Sequence, residues 1–391
     1  MSGLSLGVPR SRRAAAPGSD GVAGSSSAPS SSTFASDQAV RATDSDALLS
    51  RLSAMRAGYL PSESFSAHFV PMGTPQPLPR RPPIINIGTA LRCRRLDECV
   101  ERFLSEGEGK KQIVSLGAGS DARFWRIQAE EKLDVRLARY VELDFPQLTR
   151  AKIERIARSE PLRKRVGGTG PQGMRVEQNG SALHTSRLHI LPCDLRQIAT
   201  APPSSLDEGS ASHISESLLS VLDASLPTLL LAECVLAYLP SASSQALLQW
   251  FAQRFGKLEV LAYDMCIGGD AGATAAGTAP SRFGQVMLSN LGARGLDLPG
   301  ARGLTTPEAY AGLFERTLSA CAEGDSTQSE AQSLKHVWSA LPAEERVRLS
   351  RLEGLDEVEE LEMLLSHYCV SWAKRSGTPA AQEALEERAA E

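Results

Sequence analysis

Glycines and acids at the ends of apolar runs are the residues of this chain whose types and spacing could do chemistry. Val114-Ser-Leu-Gly-Ala-Gly-Ser-Asp121 is followed by Tyr140-Val-Glu-Leu-Asp144, so Gly117 and Gly119 close one apolar run and Asp144 closes the next. A glycine pair lets the backbone turn tightly and approach a ligand closely. Asp144 stands 25 positions after Gly119, at the end of a second strand, where a carboxylate can accept both hydroxyls of a ribose. Position 122 is Ala, so the third glycine of the dinucleotide fingerprint is missing and no pyrophosphate cradle is evident. S-adenosyl-L-methionine, with a ribose and no phosphate, fits this pattern better than a dinucleotide. Alone, Gly-Ala-Gly after a strand is also an ordinary strand-to-helix turn; the acid ending the next strand favours the cofactor.

Two further acids occupy comparable positions. Asp194, in Leu191-Pro-Cys-Asp-Leu195, could accept from an adenine amino group while the Leu195 amide bonds a ring nitrogen. Equally, Asp194 could cap a helix that starts at Leu195. Glu233, in Leu231-Ala-Glu-Cys-Val-Leu-Ala-Tyr238, closes the apolar run from Leu226 to Ala232. A carboxylate there must be paired, protonated or functional: it either meets the positive amino group of a methionine moiety or forms a structural salt bridge. Tyr238 follows about one helical turn later and either shapes a methyl-transfer channel or fills core. Arg51 and Arg92 lie on helical segments before the first strand, where each could clamp a carboxylate bidentately or belong to a solvated helix face. His68, His336 and His367 have no companions at metal-ligand spacing, and no Ser/His/Asp or Cys/His arrangement stands out.

The elements that must position these residues follow from periodicity. Strands are expected over 113–117, 139–144, 187–193, 228–234 and 258–264, with a final strand over 367–374. Helices are expected between them, as in 145–159 and 241–255. Such alternation predicts an α/β fold with a doubly wound, mostly parallel sheet and right-handed crossovers. Amphipathic helices over 46–56 and 88–104, joined by the Pro-rich stretch 71–83, read as an N-terminal helical cap spanning 46–110. Residues 1–45, rich in Ser, Ala, Gly and Pro, read as a disordered tail. Arg10, Arg12 and Arg13 precede the first acid of that tail, as in a transit peptide, but regular amphipathicity is lacking. Residues 160–186, 199–226 and 267–280 read as flexible insertions in the domain over 46–375. Residues 376–391 read as a disordered or frayed tail.

Composition narrows the function classes. A net charge of −4 over 391 residues leaves no electrostatic footprint for nucleic acid. No apolar stretch reaches the ~18 residues needed to span a bilayer. Seven cysteines are scattered without Cys-x-x-Cys spacing, which argues for a reducing compartment and against a zinc site or disulfide scaffold. A cytoplasmic monomer without a membrane or nucleic-acid partner is expected.

Taken together, Leu116-Gly-Ala-Gly-Ser-Asp121, Phe124-Trp125, Val141-Glu-Leu-Asp-Phe-Pro146, Leu231 to Tyr238, Arg282-Phe-Gly-Gln-Val-Met287 and the segment Leu361 to Ala373 with His367-Tyr-Cys369 resemble the leucine carboxyl methyltransferases. Gly58-Tyr59, His68-Phe-Val70, Pro83-Ile-Ile-Asn86-x-Gly88 and Arg92 fit as well, so the resemblance runs from about residue 46 to 375. It implies a Rossmann-like class I methyltransferase that uses S-adenosyl-L-methionine to methylate the C-terminal leucine carboxylate of the protein phosphatase 2A catalytic subunit, regulating assembly of its holoenzyme. It also implies that Arg92 binds the methionine carboxylate, Gly117 the cofactor backbone, Asp144 the ribose, Asp194 and Leu195 the adenine, and Glu233 the methionine amino end. The family's cofactor-contacting lysine falls on Arg51, which keeps the charge but not the compactness. Two alternatives stand beside this expectation. One is a same-fold enzyme acting on a tRNA side-chain carboxylate, whose family carries an extra β-propeller for which no room is expected after residue 375. The other is a pseudo-enzyme that binds the phosphatase without transfer.

Overall fold

The computed structural model describes residues 31–167, 173–198, 211–270, 279–321 and 326–376. Its sheet has nine strands: β1 (Lys111–Leu116), β2 (Leu137–Asp144), β3 (Arg175–Glu177), β4 (Ala182–His184), β5 (Leu188–Pro192), β6 (Thr228–Glu233), β7 (Lys257–Met265), β8 (Ser326–Ser333) and β9 (Tyr368–Ser376). They lie in the order β3-β4-β5-β2-β1-β6-β7-β9-β8. The central run β5-β2-β1-β6-β7 is parallel, and both edges are antiparallel. The α/β, mostly parallel sheet expected from the alternation of elements is therefore present.

The central strands are apolar because both sheet faces are covered. Along β1, Ile113 packs with one cluster, containing Leu91, Leu96 and Phe103. Its neighbour Val114 packs with the opposite cluster, containing Leu247, Phe251 and Phe314. The chain moves outward from β1 to β2 and β5, then returns to place β6 on the other side of β1. A ligand crevice forms at such a reversal of strand order, outside the carboxyl ends of the strands. Register aligns the polar residues there: Leu116 lies opposite both Leu143 and Ala232, so Gly117, Asp144 and Glu233 leave the sheet side by side.

The cap consists of helix α1 (Ser31–Arg56), a short 3-10 turn over Ser66–Phe69 and helix α2 (Pro83–Ser105). Here the structure corrects one boundary. Helix α1 begins at Ser31, inside the stretch 1–45 expected to be a disordered tail. From residue 36 to 46 it meets the domain through polar contacts, described below, which composition does not reveal. Residues 1–30 and 377–391, parts of the two expected tails, lie outside the described residues.

The expected insertions also contain regular structure. The 160–186 stretch holds a helix over Glu160–Arg165 and the hairpin β3–β4, while 199–226 holds a helix over Ala211–Val221. Residues 267–270 continue from β7, with Ile267 fully buried and Gly268 N–H donating to the Thr305 carbonyl at 2.7 Å. Residues 168–172, 199–210 and 271–278 of these insertions lie outside the described residues. Strand β8 (Ser-Thr-Gln-Ser-Glu-Ala-Gln-Ser) is an edge strand with no apolar alternation, which is why periodicity passes over it. Among the described residues no helix is long and apolar enough to cross a membrane.

One buried ion pair ties the sheet to the glycine turn. Lys152, on the helix Pro146–Arg158, lies 2.6 Å from the Glu142 carboxylate, and both side chains are 3% exposed or less. The same ammonium donates to the Asp121 carbonyl at 2.8 Å. Burial pushes the Glu142 carboxyl up to about 7, against the pull of Lys152. Lys152→Met should therefore lower unfolding free energy by about 3 kcal/mol, the lower part of the range for breaking a buried pair, because Glu142 can take up a proton near neutrality. Denaturant midpoints measure this, and adding Glu142→Leu should recover much of the loss.

Candidate active site

The turn after β1 is built on left-handed backbone. Gly117 has φ +60° and Gly119 φ +46°, values at which a side chain is strained. Space is restricted as well. A β-carbon on Gly117 would lie 2.8 Å from Val235 Cγ2, and one on Gly119 would collide with the Asp44 carboxylate. Two tightly packed surfaces thus meet the turn: the segment after β6 and helix α1.

Asp144 faces this turn. Its Oδ2 accepts from Gly119 N–H at 2.6 Å and its Oδ1 from Phe145 N–H at 2.7 Å. Burial raises its carboxyl to about 6, and the two amides only partly oppose that rise. Asp194 accepts from Arg196 N–H at 3.0 Å, so it caps the helix Leu195–Ile198. Its carboxylate also receives Arg196 Nε at 2.8 Å and Nη2 at 2.7 Å. The capping role open in the sequence is thus realised, together with an arginine partner that the sequence does not advertise. Leu195 is buried beside it.

Glu233 ends β6 and meets two guanidiniums. Arg92 Nε contacts its Oε1, and Arg123 Nη2 lies 3.3 Å from its Oε2. Arg92 reaches over from α2 with its guanidinium 4.9 Å from the Tyr263 ring centre, and Tyr263 stacks on Tyr368 with ring centres 5.6 Å apart. Burial alone would push the Glu233 carboxyl up, but Arg92 and Arg123 hold it below its ordinary value. Cys234 next turns the chain at φ +57°. Asp264, fully buried at the end of β7, fixes the following turn by accepting from Val235 N–H at 3.2 Å and Ala237 N–H at 3.1 Å. That turn, Leu236–Tyr238, carries Tyr238 into the cleft.

Helix α1 closes the cleft from above. Asp44 accepts from Ser120 N–H at 2.6 Å and Ser120 Oγ–H at 2.7 Å. Asp37 receives both terminal nitrogens of Arg196, at 3.0 and 2.9 Å. Asp46 receives Arg81 at 3.1 Å and Arg294 at 2.5 Å. Arg51, lower on the helix, donates to Cys93 Sγ at 3.0 Å and lies 3.8 Å from Glu63.

All eight sequence-selected residues, Arg51, Arg92, Gly117, Asp144, Asp194, Leu195, Glu233 and Tyr238, line one cavity of about 550 Å³, within the range of small-molecule sites. Asp37, Asp44, Arg123, Arg196 and Asp264 were not selected. Asp37 and Asp44 fall in the supposed tail, while Arg123 and Arg196 resemble ordinary residues of a helix's first turn. Asp264 had a usable signal, an acid inside the apolar run of β7. Cofactor chemistry suits this donor set. Asp144 presents a carboxylate beside a turn that admits no side chain, and Glu233 with Arg92 offers opposite charges for the ammonium and carboxylate of an amino acid.

A family model described as leucine carboxyl methyltransferase matches residues 45–252. A protein named leucine carboxyl methyltransferase 1 from Mycosarcoma maydis is 40% identical, covering 87% of this chain and 78% of its own. The protein of that name from Cryptococcus neoformans var. neoformans serotype D (strain JEC21) is 38% identical over 87% of this chain and 94% of its own. The one from Bos taurus is 33% identical over 89% and 93%. Among solved structures, geranyl diphosphate C-methyltransferase from Streptomyces coelicolor A3(2) is 9% identical, covers 89% of this chain and 99% of its own, and gives a TM-score of 0.42.

The contact between α1 and the glycine turn can be tested directly. Gly119→Ala should cost at least about 1 kcal/mol, because alanine is placed at positive φ, and should speed hydrogen exchange in residues 36–45. In Asp44→Ala/Gly119→Ala the stability losses should sum to less than those of the single variants, because one contact is lost in both.

Proposed function

We propose, since the chain belongs to the leucine carboxyl methyltransferase family, that it esterifies the C-terminal leucine α-carboxylate of the protein phosphatase 2A catalytic subunit and thereby regulates assembly of that holoenzyme. The observation that carries this reading is the cavity in which Asp144, Asp194, Glu233 and Arg92 converge on the glycine turn. S-adenosyl-L-methionine, when bound, supplies the methyl group from its sulfonium. Asp144 would hold the ribose hydroxyls, Gly117 the cofactor backbone, and Asp194 with the Leu195 amide the adenine. Glu233 would take the ammonium of the methionine end and Arg92 its carboxylate. Arg51 keeps the positive charge of the family's lysine, and in this structure it is turned to Cys93 and Glu63.

The residue inventory suits a carboxylate acceptor. A terminal α-carboxyl has an ordinary pKa near ~3.5, so at neutral pH it is already the nucleophile. No side chain needs to remove a proton, which agrees with Tyr238 being the polar group presented by the turn after β6. Burial pushes the Tyr238 phenol far above its ordinary range, so it stays a neutral hydroxyl that can orient an oxygen. Ile85, Met265, Leu291, Leu364 and Leu365 give the same cavity an apolar wall on which a leucyl side chain can rest. The chain's contribution is to align the reactants and exclude water, worth up to ~7–11 kcal/mol in well-oriented systems.

The direct test incubates the protein with methyl-labelled S-adenosyl-L-methionine and intact phosphatase catalytic subunit. Base-labile label on the subunit is expected, and none on a subunit lacking its C-terminal leucine. Unlabelled intact subunit, where a known leucine carboxyl methyltransferase labels it, would sink the assignment.

Asp144 also gives cofactor binding a pH dependence. Its carboxyl is raised to about 6, so above that value it is an ionised acceptor and below it a proton occupies one oxygen. Calorimetric affinity for S-adenosylhomocysteine should fall as pH drops through 6, by about tenfold for each 1.4 kcal/mol of lost interaction. Asp144→Asn should bind weakly throughout and lose this step.

A further inference from the structure

Arg123 is the most enclosed guanidinium at the cleft, with its side chain only 3% exposed. A charge so far from water persists only when paired, and here it meets three carboxylates. Its Nε donates to Asp97 at 3.1 Å, its Nη1 donates to Asp121, and its Nη2 reaches Glu233 at 3.3 Å. Asp121 also accepts from Arg123 N–H at 2.9 Å, which anchors the residue at the first position of helix α3 (Arg123–Ala129) by backbone as well as side chain. Arg126, one turn later, pairs with Asp97 at 2.5 Å and approaches Asp121 at 3.8 Å. The cluster therefore holds three acids, Asp97, Asp121 and Glu233, and three arginines, Arg92, Arg123 and Arg126.

The two arginines on Glu233 are held differently. Arg123 is committed through all three guanidinium nitrogens, whereas Arg92 is 21% exposed, rests on the Tyr263 ring and touches Glu233 through Nε. If Arg92 were the sole partner, its move to another carboxylate would leave Glu233 in a poorly hydrated wall without a counter-ion.

We propose that Arg123 is a positioning residue for the amino end of the cofactor: it is the fixed guanidinium that keeps Glu233 aimed into the cleft while Arg92 turns to the cofactor's carboxylate. This rests on the assignment of Glu233 to the ammonium under the proposed function. The division of labour solves a charge problem. An ammonium arriving at Glu233 replaces Arg92 on one oxygen, and Arg123 retains the other, so the carboxylate remains ionised, oriented and fully paired. Asp121 and Asp97, in turn, prevent Arg123 from following the cofactor.

Calorimetry on the full chain with two probes tests this: S-adenosylhomocysteine, and its analogue with hydrogen in place of the α-amino group. The wild type should prefer the amine-bearing probe. Arg123→Met should weaken S-adenosylhomocysteine by about tenfold or more and change the deaminated probe by much less. Because Arg123→Met leaves an excess acid buried, Asp97→Asn/Arg123→Met, which keeps the charges balanced, is measured beside it and should show the same selective loss. Equal weakening of both probes in the balanced variant, or no weakening, overturns the role of Arg123 while the cofactor assignment stands. A wild type that binds both probes equally overturns the Glu233 assignment and this proposal together. Failure of the wild type to bind either one removes the cofactor reading itself.

Discussion

The cleft depends on opposite charges being held together, largely out of water, where the chain leaves β1 and β6. The strand reversal creates the opening, and the glycine turn and Glu233 leave adjacent strands there. An isolated carboxylate in that wall would lose far more hydration than it gains. The wall exists because Arg92 from the cap and Arg123 from α3 meet Glu233 within the same small volume. Cap and sheet are thus coupled by electrostatics as well as by packing: moving α2 away would strip Glu233 of Arg92.

A second group of buried acids shapes backbone instead of binding charge. Asp264 accepts amides of the turn after β6, and Asp144 accepts one amide of the glycine turn, Gly119, and the amide of its own successor, Phe145. Both carboxyls are lifted by burial to about 6, because backbone amides, and for Asp144 the charge of Lys152, only partly offset the loss of water. By contrast, the arginine-paired Asp97 and Glu233 lie below the ordinary carboxylate range. Two kinds of acid thus meet at one cavity, lined by Asp144 of the first kind and Glu233 of the second. One kind stays firmly ionised, and the other is close to its titration point.

What was legible in the sequence follows from this physics. Gly117, Asp144, Asp194 and Glu233 each terminate a short apolar run, and parallel strands buried on both faces announce their ends sharply. Their convergence follows from the alternation of elements, because β-α-β crossovers bring all carboxyl ends to one edge. Less legible were residues whose partners are distant in the chain. Arg123 looks like a solvated helix residue until Glu233 lies beside it, 110 positions away. Asp37 and Asp44 sit in a Ser- and Ala-rich segment with too little apolar surface to suggest order, and only Arg196 and Ser120 explain why they are fixed. Strands β3 and β4 are three residues each and β8 is a polar edge strand, so their pairing partners, not their own pattern, define them.

Helix α1 meets the mouth of the cavity through several polar contacts: Asp37 on Arg196, Asp44 on Ser120, Asp46 on Arg81 and Arg294. Exposed ion pairs weaken as the Debye length shortens with added salt, whereas the apolar anchor at Leu48 and Leu52 does not. Of the contacts above, the Asp46 pairs are the open ones, with Asp46 47% and Arg294 55% exposed, while Asp37 is 18% exposed. Ionic strength therefore acts on the Asp46 contacts of the helix and leaves the Leu48 and Leu52 anchor unchanged.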